Sequence, residues 1–288
     1  MTLSFPNVTS RILTSLTLGA VVAASGSSRV YAQSAAAAPP PATVTLTRLQ
    51  CGTNAPPTDV GLRFSDTYAF SGVMVQLTYS CYLIRHNDDY LIWDTGFAKG
   101  PAATAPKQSL VELVTLLGLT PASVKFVGIS HYHGDHVGQT SSFPQATLLI
   151  GKGDWDVIND PKLSSATNPA AFAPWISGGS KVEPLTADKD VFGDGSVILL
   201  NMPGHTPGHQ SLLVKLKEAG NVLITGDVSH FRENYDSNGI PTFNTDRAAS
   251  LASLDRFKQI AKNLKAIVIV QHDQRDVAKL PVFPMAAK

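Results

Sequence analysis

At 288 residues, with 43% hydrophobic and 16% charged side chains, the chain has the balance of a globular protein with a sizeable core, as one large domain or two small ones. Its formal net charge of +1 argues against the basic surface that nucleic-acid binding requires.

Taken in order, residues 1–32 carry Arg11, an apolar run from Ile12 to Ala24 and the small-residue site Val30-Tyr31-Ala32, the layout of a secretory signal peptide. The run is shorter than the roughly 20 residues a bilayer span needs. The mature protein is therefore expected to be exported, periplasmic or secreted, without stable membrane association. Processing removes Arg11 and Arg29 and no acidic residue, which takes the net charge to −1. Residues 33–43, with their Ala and Pro runs, read as a flexible linker that cannot form a core. Residues 44–288 are expected to form one domain.

Residues 44–49 alternate apolar and polar in strand fashion. Cys51 ends that strand and Cys81 falls in the next strand pair; an exported protein can join two such cysteines. Nothing in the sequence sets their separation, so two buried free thiols are the preferred reading. Residues 54–72 show no period and read as a long loop, a common place for function. Strands follow at 73–77 and 79–85, a turn at Asn87-Asp88-Asp89, and a return strand at 90–93. Asp94 sits at that strand's end, where an Asx-turn is the simplest reading. Residues 109–117 have a helical apolar face closed by Gly118. A buried strand at 124–130 leads into the histidine-rich centre, followed by a strand at 146–150 and a short helix at 154–158. Residues 159–179 lack a period but contain Phe172, Trp175 and Ile176. These either pack the loop down or line an apolar pocket. Strands near 182, 197–200, 211–217 and 222–225, a helix within 244–265 and a strand at 267–270 complete the chain. Strands then helix, twice over, suggest an αββα sandwich.

The centre of the chain is His131-Tyr132-His133-Gly134-Asp135-His136, directly after the strand at 124–130. Imidazole nitrogen and carboxylate oxygen suit zinc and its neighbours. His131 and His133 lie two apart and point the same way from extended backbone. Asp135 and His136 fall on the following turn and address a second point, so the spacing suggests two metals. His205, Asp227 and His272 each follow another strand-like run. Four strand ends that each deliver a ligand turn a His-rich loop into a metal site.

In these residues and their order the chain resembles the metallo-β-lactamase-fold hydrolases, from about Val44 to the C-terminus. The segments Cys81–His86, 91–96 and 225–257 are similar to those of the N-acyl-homoserine lactonases. The resemblance implies an α/β fold of two mixed sheets flanked by helices, with residues 44–288 as the catalytic domain. It implies that His131, His133 and His205 hold one divalent metal ion and Asp135, His136 and His272 the other. Asp227 would bridge them, and zinc would be the expected metal. Asp94 would orient a ligand histidine from behind. A hydroxide between the metals would open the lactone ring, with Asp135 delivering a proton to the leaving oxygen. Where the lactonases commonly carry a tyrosine, three residues past Asp227, this chain has His230, a candidate donor to the substrate carbonyl. Phe64, Tyr68, Phe70, Phe172, Trp175 and Ile176 are the candidates for an acyl-tail pocket. An exported organophosphate or aryl ester hydrolase of the same superfamily and a non-catalytic metal-binding module are the alternatives. Antibiotic hydrolysis is disfavoured, because β-lactamases of this fold usually have Cys or Ser in place of Asp227. A small acyl lactone or ester is the expected partner, and a homodimer stays open.

Overall fold

The computed structural model describes residues 41–52 and 56–288. The signal peptide and most of the linker lie outside the described residues. In chain order the first half contains β1 (Val44–Gln50), β2 (Thr58–Asp59), α1 (Val60–Arg63), β3 (Met74–Val75), β4 (Ser80–His86) and β5 (Asp89–Trp93). There follow α2 (Leu110–Leu116), β6 (Val124–Ile129), α3 (Gly134–Val137), β7 (Thr147–Gly151), α4 (Lys152–Asn159), α5 (Ala173–Ile176) and β8 (Val182–Leu185). The second half contains β9 (Lys189–Asp190), β10 (Val197–Asn201), β11 (Gln210–Leu216) and β12 (Gly220–Ile224). It ends with α6 (Arg232–Ser237), α7 (Arg247–Leu264), β13 (Ile267–Ile269) and α8 (Gln274–Val277).

Two mixed sheets result, ordered β1-β4-β5-β6-β7-β8 and β13-β12-β11-β10-β9. Successive strand residues face opposite sides of a sheet, and here both sides are buried. In β4, Tyr82 and Ile84 enter the core between the sheets, where they meet Leu212, Val214, Val222 and Ile224. Their neighbours Cys81 and Leu83 face the other way, onto Leu110, Leu113 and Val114 of α2. In β12, Val222 and Ile224 point inward while Leu223 packs on Leu254 and Phe257 of α7. Buried on both faces, these strands read as continuous apolar runs. The layers are helix, sheet, sheet and helix, as the sequence suggests.

Capping explains where the helices begin. Ser109 Oγ accepts the Glu112 N–H at 3.2 Å while Glu112 Oε2 accepts the Ser109 N–H at 2.6 Å, a reciprocal box that starts α2. Asp246 Oδ1 accepts the Ala249 N–H at 2.9 Å and starts α7.

Three expectations need correction. Cys51 and Cys81 form a disulfide, with Cα atoms 5.7 Å apart. The β1–β4 register pairs Leu49 with Cys81 and so carries Cys51 alongside, a separation set by pairing and invisible in the sequence. The loop at 54–72 is partly ordered: among its described residues β2, paired with β3, and α1 form a small flap. The segment 159–179 contains α5 and two short 3-10 turns.

Candidate metal centre

Five of the seven candidate ligands lie just past a strand end. His131 and His133 follow β6, His205 follows β10, Asp227 follows β12 and His272 follows β13, while Asp135 and His136 sit on α3. The two sheets meet at this edge, where the Gln210 N–H donates to Ser130 O at 2.8 Å and Gln210 Nε2 to Ile129 O at 3.0 Å. Two glycines make the approach possible. Gly204 has φ +136°, and a Cβ there would lie 2.3 Å from the Ser250 nitrogen. Gly226 has φ +56°, and its Cβ would lie 2.7 Å from His209 Nε2.

Two groups of donor atoms result: His131, His133, His205 and Asp227, and beside them Asp135, His136 and His272, each group within 4.8 Å of itself. Asp227 lies between the two. Its Oδ2 is 3.3 Å from His205 Nε2 and 3.5 Å from His131 Nε2, and its Oδ1 is 3.0 Å from His272 Nε2 and 3.3 Å from His136 Nε2. Asp135 Oδ2 is 3.5 Å from His272 Nε2 and 3.6 Å from His136 Nε2.

Hydrogen bonds behind the rings set their orientation. Asp94, at the end of β5, is buried and accepts from His136 Nδ1 at 2.8 Å, Ser130 N at 2.7 Å, Ser130 Oγ at 2.9 Å and Gln271 Nε2 at 2.7 Å. Since Ser130 Oγ gives its proton to Asp94, it accepts from His131 Nδ1 at 3.1 Å. His205 Nδ1 donates to Asn244 Oδ1 at 2.7 Å, and Asn244 is itself oriented by donating to Ser250 Oγ at 2.7 Å. His272 Nδ1 donates to Thr78 O at 2.8 Å. All four rings therefore turn Nε2 inward. His133 alone presents Nδ1, 2.8 Å from His131 Nε2 and 3.0 Å from His205 Nε2.

The electrostatics ask for a cation. Burial holds the His131 imidazole well below its usual pKa, with the His136 charge adding to the effect, and burial lowers His133 to about 4. Both rings are held toward the neutral form, with His133 Nδ1 2.8 Å from His131 Nε2 and 3.0 Å from His205 Nε2. On the other side burial opposes charge on His136, but Asp227, Asp135 and Asp94 outweigh it and raise that ring well above its usual range. Burial works to raise Asp227 too, yet His230, His272 and His136 hold its carboxyl well below the usual range. Asp227 Oδ1 is buried without a hydrogen-bond partner among the described residues. Imidazole and carboxylate donors gathered in this way fit a divalent metal.

Residues the sequence left without a role complete the site. His209 Nε2 accepts the Asp227 N–H at 2.8 Å while its Nδ1 donates to Met202 O at 3.0 Å, so it fixes the backbone of Asp227. Its place four residues past His205 was the only signal. Asp154 accepts from Tyr132 N at 3.1 Å, Thr206 Oγ1 at 2.8 Å and Gly208 N at 2.6 Å, joining the loops that carry His131 and His205. His86 is remote, paired with Asp194 Oδ2 at 2.8 Å.

A cavity of about 470 Å³ opens over Asp135, Asp227, His133, His230 and His272, with Phe64, Leu77, Tyr79, Phe97 and Phe243 among its walls and Arg63 at its side. Of the six apolar candidates only Phe64 lines it. Phe172 and Trp175 are buried against the outer face of the first sheet, where Trp175 Nε1 donates to Ala146 O at 3.1 Å. Ile176 and Tyr68 are exposed, and Phe70 packs beneath the flap on Phe231. Those five are not at the cavity because their segments pack on other faces. His230 does line it, but its Nε2 lies 2.9 Å from Asp227 Oδ2 and burial lowers its pKa to about 4. A neutral ring has one N–H, and here Asp227 receives it.

The family model for the metallo-beta-lactamase superfamily matches residues 75–272. An N-acyl homoserine lactonase, AttM, of Azorhizobium caulinodans is 28% identical over 236 residues, 70% of this chain and 84% of the relative. An N-acyl homoserine lactonase of a Bacillus species is 27% identical over 232 residues, covering 74% and 88%. Among solved structures, an N-acyl homoserine lactone hydrolase with N-hexanoyl-L-homoserine bound at its catalytic metal centre superposes with TM-score 0.70 at 24% identity, over 85% of this chain and 99% of that one. A dizinc quorum-quenching lactonase, AidC, superposes with TM-score 0.60 at 19% identity, over 84% and 89%.

Proposed function

The chain belongs to the metallo-beta-lactamase superfamily, and from that premise we propose that it is a metal-dependent hydrolase that opens the lactone ring of N-acyl homoserine lactones, the activity its relatives are named for. One observation carries the reading. The two oxygens of Asp227 each face a separate ligand cluster on the floor of a cavity walled by aromatic rings. We propose two ions, zinc first among the candidates, one held by His131, His133 and His205 and one by Asp135, His136 and His272, with Asp227 shared between them. Divalent ions bound there would lower the pKa of water to about 7 and polarise a carbonyl oxygen.

The chain's own groups do the rest. Asp94, Asn244 and Thr78 hold the ligand rings in one orientation, which removes reorganisation from the reaction. His209 and His230 hold Asp227 from its backbone and its carboxylate. Asp135 is the carboxylate that opens onto the cavity, with a quarter of its side chain exposed (24%). It is placed to take the proton of the attacking water and return it to the ring oxygen as the lactone opens. His230 is kept as the candidate donor to the substrate carbonyl, a role that requires its N–H to leave Asp227. The walls at Phe64, Tyr79, Phe97 and Phe243 suit an acyl tail, each buried methylene being worth about 0.8 kcal/mol at most.

The test is turnover by the purified protein of homoserine lactones of graded chain length, beside a phosphotriester and a cephalosporin. KM is expected to fall as the chain lengthens while kcat changes little, because tail burial is common to ground and transition states. Faster turnover of the phosphotriester than of any lactone would assign the site to an organophosphate hydrolase. The proposal includes export with cleavage after Ala32, with residues 44–288 as the catalytic domain. N-terminal sequencing of the fractionated protein checks the cleavage, and recovery of an intact Met1 in the membrane fraction would contradict it.

A further inference from the structure

The cavity contains one cation that the chemistry above does not use. Arg63 closes α1 and lines the cavity mouth. Its guanidinium carbon lies 5.1 Å from the centre of the Phe243 ring and 5.6 Å from that of Phe64. Those rings are in turn packed on the site: Phe64 is 4.8 Å from the His230 ring, and Phe243 is 5.6 Å from the candidate ligand His205. A single aromatic layer therefore separates the guanidinium from the metal ligands.

The backbone beneath Arg63 is fixed. Its carbonyl accepts both the Thr242 N–H at 3.1 Å and Thr242 Oγ1 at 3.0 Å, which clamps the flap to the residue preceding Phe243. The Phe64 carbonyl accepts from Asn234 Nδ2. Among the described residues Arg63 makes no ion pair. Nearby Asp66 is taken by Arg247 at 2.5 Å, and Asp59 by the Gly61 and Gly72 N–H groups, both at 2.9 Å. A guanidinium stacked on aromatic faces keeps its N–H donors pointing outward in one plane, and such a fork is built to receive oxygen.

We propose that Arg63 sets substrate specificity by receiving an oxygen acceptor carried on the acyl chain, as in a 3-oxo-acyl lactone. With the lactone carbonyl at the ligand cluster, an acyl chain that leaves along Phe64 and Phe243 passes Arg63, among the described residues the one arginine or lysine side chain that lines the cavity. A β-keto amide offers two carbonyl oxygens on one side of the chain, a spacing that a planar fork can engage together. An unsubstituted acyl chain offers only the amide oxygen. The inference rests on the lactonase reading above.

The experiment compares kcat/KM for a 3-oxo-acyl and an unsubstituted acyl homoserine lactone of equal chain length, in the full-length parent, Arg63→Met and Arg63→Lys. Metal content is measured alongside. The parent is expected to favour the 3-oxo lactone by about tenfold, the size of one charge-assisted hydrogen bond. Arg63→Met should abolish that preference through KM, with metal content equal to the parent's, and Arg63→Lys should restore part of it as a point charge. A parent without the preference, a preference that survives Arg63→Met, or an equal loss on both lactones would each overturn the assignment to Arg63 while leaving the lactonase reading in place. Turnover of neither lactone by the parent would overturn both.

Discussion

Replacing Asp94 with Asn isolates the layer behind the metal ligands. The carboxylate accepts four hydrogen bonds, one on Oδ1 from Ser130 N and three on Oδ2 from His136 Nδ1, Ser130 Oγ and Gln271 Nε2. An amide keeps one acceptor oxygen, so one side of the group must present N–H to N–H. If the oxygen stays toward Ser130 N, the new NH2 faces His136 Nδ1 and favours the tautomer with its proton on Nε2. That is the atom turned toward His272, 3.2 Å away, and toward Asp227 Oδ1. The cost to the Asp135–His136–His272 cluster is expected to be about 10–100-fold in metal affinity, or about 1.4–2.7 kcal/mol. An unsatisfied buried donor adds about 1–3 kcal/mol of lost fold stability. Chelator-competition titration should show the larger weakening at this ion; the other ion feels the change only through Ser130 Oγ and His131, because His205 is oriented independently by Asn244. Unchanged affinity for both ions in Asp94→Asn would refute the argument that this carboxylate sets the tautomer of His136.

The buried His230 ring gives a pH test. Its folded pKa of about 4 lies below the usual value of about 6.5, so the stability that depends on its neutrality is complete above 6.5 and is lost as pH falls toward 4, by about 3 kcal/mol at pH 4. Denaturant melts of metal-free parent and His230→Phe should therefore shift in the variant's favour as pH falls through that window; a constant difference would show that the ring is not held neutral. In the metal-loaded enzyme His230→Phe should lower kcat by about a hundredfold, the lower end of the range for a lost donor to a developing oxyanion, and His230→Tyr, which restores an O–H donor, should recover part of it. Equal turnover in all three would leave His230 as cavity wall. The disulfide closes a loop of 30 residues, so Cys51→Ser is expected to cost about 3.5 kcal/mol of stability, read as a lower urea midpoint, and a midpoint equal to the parent's would refute that loop-closure estimate. Phe243→Ala should flatten the dependence of KM on acyl-chain length, whereas Trp175→Ala, in the core beneath the first sheet, should lower stability and leave that dependence intact; the reverse pattern would relocate the acyl groove.

The candidate ligands were legible because they come just after the apolar runs of β6, β10, β12 and β13, with Asp135 and His136 on the turn that follows the histidines after β6. The order of histidines and aspartates along the chain carried the rest. The groups that orient them were not legible, with Asp94 the exception. Asn244 and Thr78 come from elements distant in sequence from the rings they orient, and an amide or a backbone carbonyl in a loop carries no pattern. The walls of the cavity were misread for a related reason. Phe172 and Trp175 sit in an aperiodic segment, and periodicity cannot tell a loop that packs on the back of a sheet from one that walls a cavity. Of those that do wall it, Phe243 stands alone in a short polar stretch and Tyr79 reads as the first residue of the strand at 79–85. The disulfide depended on strand register, which follows from pairing partners rather than from the composition of either strand.

The central claim is that two ions act together across Asp227. Elemental analysis of the purified protein, followed by chelation and stepwise return of zinc while lactone hydrolysis is followed, tests it most directly. Two ions per chain are expected, with turnover rising only as the second equivalent binds and His205→Ala retaining one ion in a folded protein. Full turnover with a single ion per chain, or turnover that survives complete metal removal, would contradict the account.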